Sequence, residues 1–128
     1  MTRRDVTANS RQRGAQAESD VAAYFLDQGY TLLARNYRVT DLGELDLVLQ
    51  RDDLLTIVEV KARHSVRYGF PEEAVIRAKR RRLSETALHF AQQYGLLNKR
   101  IQFLAAAVQT DEAGKSRSIR VLPFDPKH

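Results

Sequence analysis

The sequence predicts an α/β domain, a mixed central β-sheet flanked by helices in the order α-β-β-β-α-β-β. Three observations carry that expectation. Leu45-Asp46-Leu47-Val48-Leu49 and Ile57-Val58-Glu59-Val60-Lys61 have the period of two that marks strands, with Arg51-Asp52-Asp53 as the turn between them. Val21, Ala22 and Phe25, and later Leu83, Ala87, Phe90, Ala91 and Tyr94, recur at helical spacing. Glycines stand where those helical stripes stop, at Gly29 and Gly95.

Taken in order, residues 1–9 are polar and aperiodic and are expected to form a disordered basic tail. The domain is expected over 10–124, with 125–128 as a short C-terminal tail. A first helix should run from Ser10 or Arg11 to Gln28. Glu18 lies three, four and seven residues before Val21, Ala22 and Phe25, on the same stripe. A carboxylate there is costly to bury unless it is paired or bound to a cation, and the alternative is a place at the stripe's edge, near solvent. Gly14, one turn earlier, suits either a close approach of backbone or substrate or a simple helix start. Tyr30 to Val39 reads as a strand with irregular alternation, and Asp41-Leu42-Gly43 as the turn into the central hairpin.

Register within that hairpin follows from the turn. With Asp52-Asp53 as a two-residue loop, Arg51 faces Leu54, Asp46 faces Glu59, and Glu44 faces Lys61. Directly opposed residues have Cβ atoms about 4.5–5.5 Å apart on one face. A longer loop or a bulge is the alternative, and a slip of one residue sends the two carboxylates to opposite faces. Two facing carboxylates repel unless something positive sits between them. A divalent cation with oxygen preference, Mg²⁺ or Mn²⁺, is one answer; solvation on an open sheet face, with Glu44 and Lys61 as surface ions, is the other.

Beyond the hairpin, Ala62 to Gly69 reads as a loop carrying Arg63, His64, Arg67 and Tyr68. Pro71 and Glu72-Glu73 suit the first turn of a second helix reaching about Tyr94. Ile101–Val108 reads as a buried strand and Ser118–Leu122 as a short edge strand before Pro123, joined by the turn Asp111–Gly114.

Charge is distributed unevenly. The net charge is +5 with a pI near 9.8. The first 13 residues carry +3, residues 61–82 carry +6, and the remainder is acidic. Arg63, Arg67, Arg77, Lys79, Arg80, Arg81 and Arg82 therefore cluster just after the carboxylate pair, as a phosphate-binding surface or as an ordinary solvated face. The chain has no cysteine, which excludes disulfides and thiolate zinc sites and fits a reducing cytoplasm. No apolar run reaches membrane-spanning length, and the N-terminal arginines precede no signal-peptide core. The expectation is a cytoplasmic protein with no membrane partner. His64, His89 and His128 lack metal-ligand spacing, and there is no phosphate-binding glycine loop.

An Asp followed on the next strand by Glu-x-Lys, here Asp46, Glu59, Val60 and Lys61, resembles the PD-(D/E)xK signature of restriction-endonuclease-like nucleases. The ordered set Gly14-x-x-x-Glu18, Gly29-Tyr30, Arg35-Asn36, Gly43-Glu44-Leu45-Asp46-Leu47, Val58-Glu59-Val60-Lys61-x-Arg63, Tyr68-Gly69 and Lys79 resembles the YraN-like family, small bacterial proteins similar to archaeal Holliday-junction resolvases. That resemblance implies the restriction-endonuclease-like fold. It further implies a metal-dependent endonuclease acting on DNA, with branched or otherwise structured DNA as a substrate class. Asp46, Glu59 and Glu18, with the Val60 carbonyl, would hold Mg²⁺ or Mn²⁺, and Lys61 would complete the catalytic set. Resolvases work as dimers, so a homodimer is among the expectations. Gln102 departs from the pattern, which often has Asp there. Two rival readings stand beside the nuclease: a catalytically inactive nucleic-acid-binding module serving DNA repair, recombination or uptake, and a purely structural interaction protein.

Overall fold

The computed structural model describes residues 10–63 and 71–126, with side chains placed over 14–63 and 82–126. The expectations for the 1–9 tail, for His64, Arg67, Tyr68 and His128, and for the side chains of Arg77, Lys79, Arg80 and Arg81 lie outside the described residues. The elements are α1 (Ser10–Leu26), β1 (Thr31–Val39), β2 (Gly43–Arg51), β3 (Leu54–Arg63), α2 (Pro71–Gln93), β4 (Arg100–Thr110) and β5 (Ser116–Pro123). This is the expected α-β-β-β-α-β-β order, consistent with the restriction-endonuclease-like fold.

The five strands lie in sequence order across one sheet. β1, β2 and β3 form an antiparallel meander, α2 crosses over to bring β4 parallel to β3, and β5 returns antiparallel at the far edge. β3 is thus central, flanked by β2 and β4. Pro123 ends β5, an edge strand on which its missing N–H is tolerated.

Each helix buries its predicted stripe against one face, except that Tyr94, expected to close the second stripe, follows the end of α2 in the terminating turn and is exposed. Ala17, Val21, Ala22 and Phe25 of α1 pack on Leu47, Leu49, Val58, Leu104, Ala106 and Val108. Leu83, Ala87, Phe90 and Ala91 of α2 pack on Leu45, Val48, Leu55 and Ile57. Both helices stop slightly sooner than the stripes suggest, because the residues before each glycine already belong to the terminating turn. Gly29 (φ 91°) lets Tyr30 N–H reach Phe25 O at 3.1 Å and Gly29 N–H reach Leu26 O at 3.1 Å. Gly95 (φ 70°) repeats the arrangement, with Leu96 N–H on Ala91 O at 2.7 Å. These bonds satisfy carbonyls that a bare helix end leaves without partners, and the left-handed conformation they need is cheap only for glycine. β4 and β5 extend beyond their expected limits, since their ladder continues to Thr110 opposite Ser116 and to Leu104 opposite Pro123.

Candidate active site

Half of the central hairpin obeys the predicted register. Arg51 pairs with Leu54, Gln50 with Leu55, Leu49 with Thr56, Val48 with Ile57 and Leu47 with Val58, so Asp52-Asp53 is the two-residue loop. Asp52 takes the left-handed conformation at φ 56°, which a short polar side chain tolerates. Beyond Leu47 and Val58 the regular ladder ends. Side chains take over the cross-strand bonding: Asp46 Oδ2 accepts the Val60 N–H at 2.8 Å, and Glu59 Oε2 accepts the Asp46 N–H at 3.3 Å. Glu44, expected to face Lys61, reaches the other way to Arg38 at 3.4 Å.

The break has a mate on β1. Leu47 belongs to the α1-side core while Leu45 belongs to the α2 side, so β2 changes face at Asp46. Arg35 pairs with Leu47 and Tyr37 with Leu45, which sets Asn36 beside Asp46. Asn36 sits at φ 55°, a conformation that asparagine visits more readily than most residues. Its amide thereby points at α1, where Nδ2 donates to Glu18 Oε1 at 3.2 Å and lies 3.3 Å from Oε2. Arg35 Nε adds a contact to Oε1 at 3.4 Å, and Arg35 Nη2 donates to the Ala15 carbonyl at 2.8 Å.

The carboxylate on the α1 stripe therefore has protein partners. Burial, then the neighbouring charge of Asp46, raises the Glu18 pKa above its usual 4.5, and the Asn36 and Arg35 contacts oppose that rise. Glu59 is wholly buried and Asp46 is 5% exposed. Asp46 is thus the link between the two other carboxylates: its backbone N–H binds Glu59, and its charge acts on Glu18 from α1, where the sheet loses its ladder.

As donors the three fit a hard divalent cation, since all are carboxylate oxygens, and Mg²⁺ is commonly held by one or two carboxylates with waters and phosphate oxygens completing its shell. As placed, the set is incomplete. Among the described residues no three His, Cys, Asp or Glu side chains gather closely enough to hold a metal ion.

The family model described as Uncharacterised protein family UPF0102 matches residues 17–108, which include Glu18, Asp46, Glu59 and Lys61. The chain belongs to that family. A UPF0102 protein of Moorella thermoacetica is 34% identical over 91% of this chain and 97% of its own length. One from Nocardioides sp. is 37% identical over 91% and 93%, and one from Lachnoclostridium phytofermentans is 45% identical over 64% and 69%.

Elsewhere in this UPF0102 chain, Lys61 is half-buried two residues beyond Glu59, on the side of β3 that alternation gives to Glu59. Val60 and Ala62 turn to the α1-side core. Of the expected phosphate-contacting side chains, two are described. Arg63 closes β3 with Nη1 on the Ala62 carbonyl at 3.2 Å. Arg82 reaches from α2 to the Asp41 carbonyl at 3.3 Å, lining with Arg38 and Glu44 a cleft of about 480 Å³ at the turn between β1 and β2. The backbone there approaches α2 so closely that a Cβ on Gly43 would lie 2.7 Å from Thr86 Oγ1.

Sequence reasoning gave no role to Arg35 or Asn36, although both stood in the ordered pattern. Periodicity holds no signal for their grip on Glu18, which depends on a backbone angle. Gln102 proves peripheral: it pairs with Thr56 at 2.9 Å, three positions along β3 from Glu59.

Proposed function

We propose that this chain is a metal-dependent nuclease hydrolysing phosphodiester bonds in DNA, with selectivity for branched or otherwise structured DNA. The observation that carries the reading is the buried pair Asp46 and Glu59, set where the ladder between β2 and β3 gives way to side-chain bonding. Burying two carboxylates side by side is unfavourable unless they are paired, hydrogen-bonded or bound to a cation, and a cation would answer both at once. Asp46, Glu59 and the Val60 carbonyl, joined by Glu18, would hold Mg²⁺ or Mn²⁺. When bound, the cation supplies an acidified water and offsets the charge developing on the phosphate. Lys61 orients that water or stabilises the same developing charge with its ammonium group. Arg63, Arg82 and the basic run of α2 bind flanking phosphates, which fixes orientation without reading sequence.

The test is cleavage of labelled four-way junction, flap, single-stranded and linear duplex DNA with Mg²⁺ or Mn²⁺, comparing the wild type with identically purified Glu59→Gln. The expected result is cleavage by the wild type alone. Full activity in Glu59→Gln would defeat the assignment. The alternative, a nucleic-acid-binding module without catalysis, draws on the incomplete carboxylate set among the described residues. It predicts binding equal in both proteins and no cleavage in either.

A further inference from the structure

Both oxygens of Glu18 face the Asn36 amide, and Oε1 also faces Arg35. A carboxylate so engaged spends lone pairs on β1 that a cation would otherwise use. Holding it there requires Asn36 in the left-handed region within a strand, a conformation that surrounding structure must enforce. The partner that makes the hold reversible is Arg35. Its side chain remains 35% exposed, its contact with Glu18 is long at 3.4 Å, and its other contact is a neutral carbonyl, that of Ala15. Access to the guanidinium is given by that exposure of Arg35 itself. Arginine forks bind phosphate oxygens bidentately, with two charge-assisted bonds where Arg35 now makes one, at 3.4 Å, and a second to a neutral carbonyl.

We propose that Arg35 and Asn36 hold Glu18 in reserve, and that a nucleic-acid phosphate reaching the exposed side of Arg35 takes its guanidinium and releases Glu18 to join Asp46 in holding the cation. The device rests on the metal-site reading above and specifies how substrate regulates that site. Metal loading then becomes tight only with nucleic acid present, so an idle protein does not hold an assembled hydrolytic centre.

Two readouts on the full chain test it, neither depending on cleavage. Mn²⁺ affinity without DNA is measured by titration calorimetry for wild type, Arg35→Gln, Asn36→Gly and the double variant Glu18→Gln/Arg35→Gln, with thermal melting to confirm folding. Glycine at 36 keeps the backbone angle and removes only the amide. Arg35→Gln and Asn36→Gly are each expected to bind Mn²⁺ about tenfold more tightly than wild type, the scale of one charged hydrogen bond released, with the gain lost in the double variant. The second readout is duplex affinity against salt in EDTA, where Arg35→Gln should lower the slope of log affinity on log salt by about one phosphate contact. If Arg35→Gln and Asn36→Gly weaken Mn²⁺ binding or leave it unchanged, Arg35 and Asn36 merely position Glu18 and the reserve is overturned. An unchanged salt slope overturns the phosphate trigger. Absence of Mn²⁺ binding in every protein overturns the metal-site reading and the reserve with it.

Discussion

The two ends of the hairpin formed by β2 and β3 are built from the same two strands and follow opposite rules. From Leu47 and Val58 to the turn, backbone pairs with backbone and every residue from Leu55 to Val58 is buried on one face or the other. From Asp46 and Glu59 outward, carboxylates accept the backbone N–H groups that a neighbouring strand would otherwise take. The first end is stabilised by apolar burial and tolerates no vacancy. At the second, apolar surface gives way to charge, and its geometry depends on a few polar bonds. The same strands are thus apolar scaffold at one end and a cluster of buried polar bonds at the other.

Truncation at the scaffold end should have the largest effect. Leu49 is fully buried in the α1-side core, and Leu49→Ala is expected to lower unfolding free energy by about 2–5 kcal/mol, as measured by urea denaturation, while leaving metal affinity unchanged. A loss of metal affinity matching the loss of stability would show that the two ends are one unit. At the chemical end, Asp46→Ala removes the acceptor of the Val60 N–H and should cost about 1–3 kcal/mol. Asp46→Asn keeps an acceptor oxygen and should retain most of that stability while losing metal binding. Equal destabilisation by the two variants would mean that the charge, not the hydrogen bond, holds the strands there.

The smallest effect is expected in pH dependence. The Glu18 pKa is raised in the folded chain, so the native state binds this proton more tightly than the unfolded state does. Its contribution to stability is fully present below the ordinary glutamate value and is lost as pH rises through the raised one. Against a Glu18→Gln reference, wild-type stability should therefore decline through the range just above pH 4.5, as followed by urea unfolding at successive pH values. A rise over that range would reverse the sign and place Glu18 in a net positive environment.

What the sequence disclosed divides along the same line. Element order, the Asp52-Asp53 turn, the register near it and both helix stripes were legible because each depends on local periodicity or on one turn. The unequal lengths of β4 and β5 were not, since they are set by how far two partners keep pairing. At the site, Asp46, Glu59 and Glu18 stood out as charges on apolar patterns; the structure joins Asp46 to Glu59 and sets the charge of Asp46 against Glu18. Among the described residues no three such side chains gather as a metal site. Where the ladder would end was hidden, because carboxylates can replace backbone acceptors without altering the alternation of residue types. The membrane expectation rests on length and hydropathy, and no described helix is long and apolar enough to cross a bilayer.

The parallel pairing of β3 with β4 has a consequence for how the molecule is made. Glu59 lies opposite Ala105, and Lys61 opposite Ala107, so the strand that covers one flank of β3 is synthesised only after the whole of α2. As the chain leaves the ribosome, Glu18, Asp46, Glu59 and Lys61 are all present before that flank is closed. The meander of β1 to β3 can form early from local contacts, whereas docking β4 must wait for a long loop to close. Docking of β4 closes the flank of β3 beside Glu59. The nascent chain therefore carries all four residues for some time before β4 completes the sheet around Glu59.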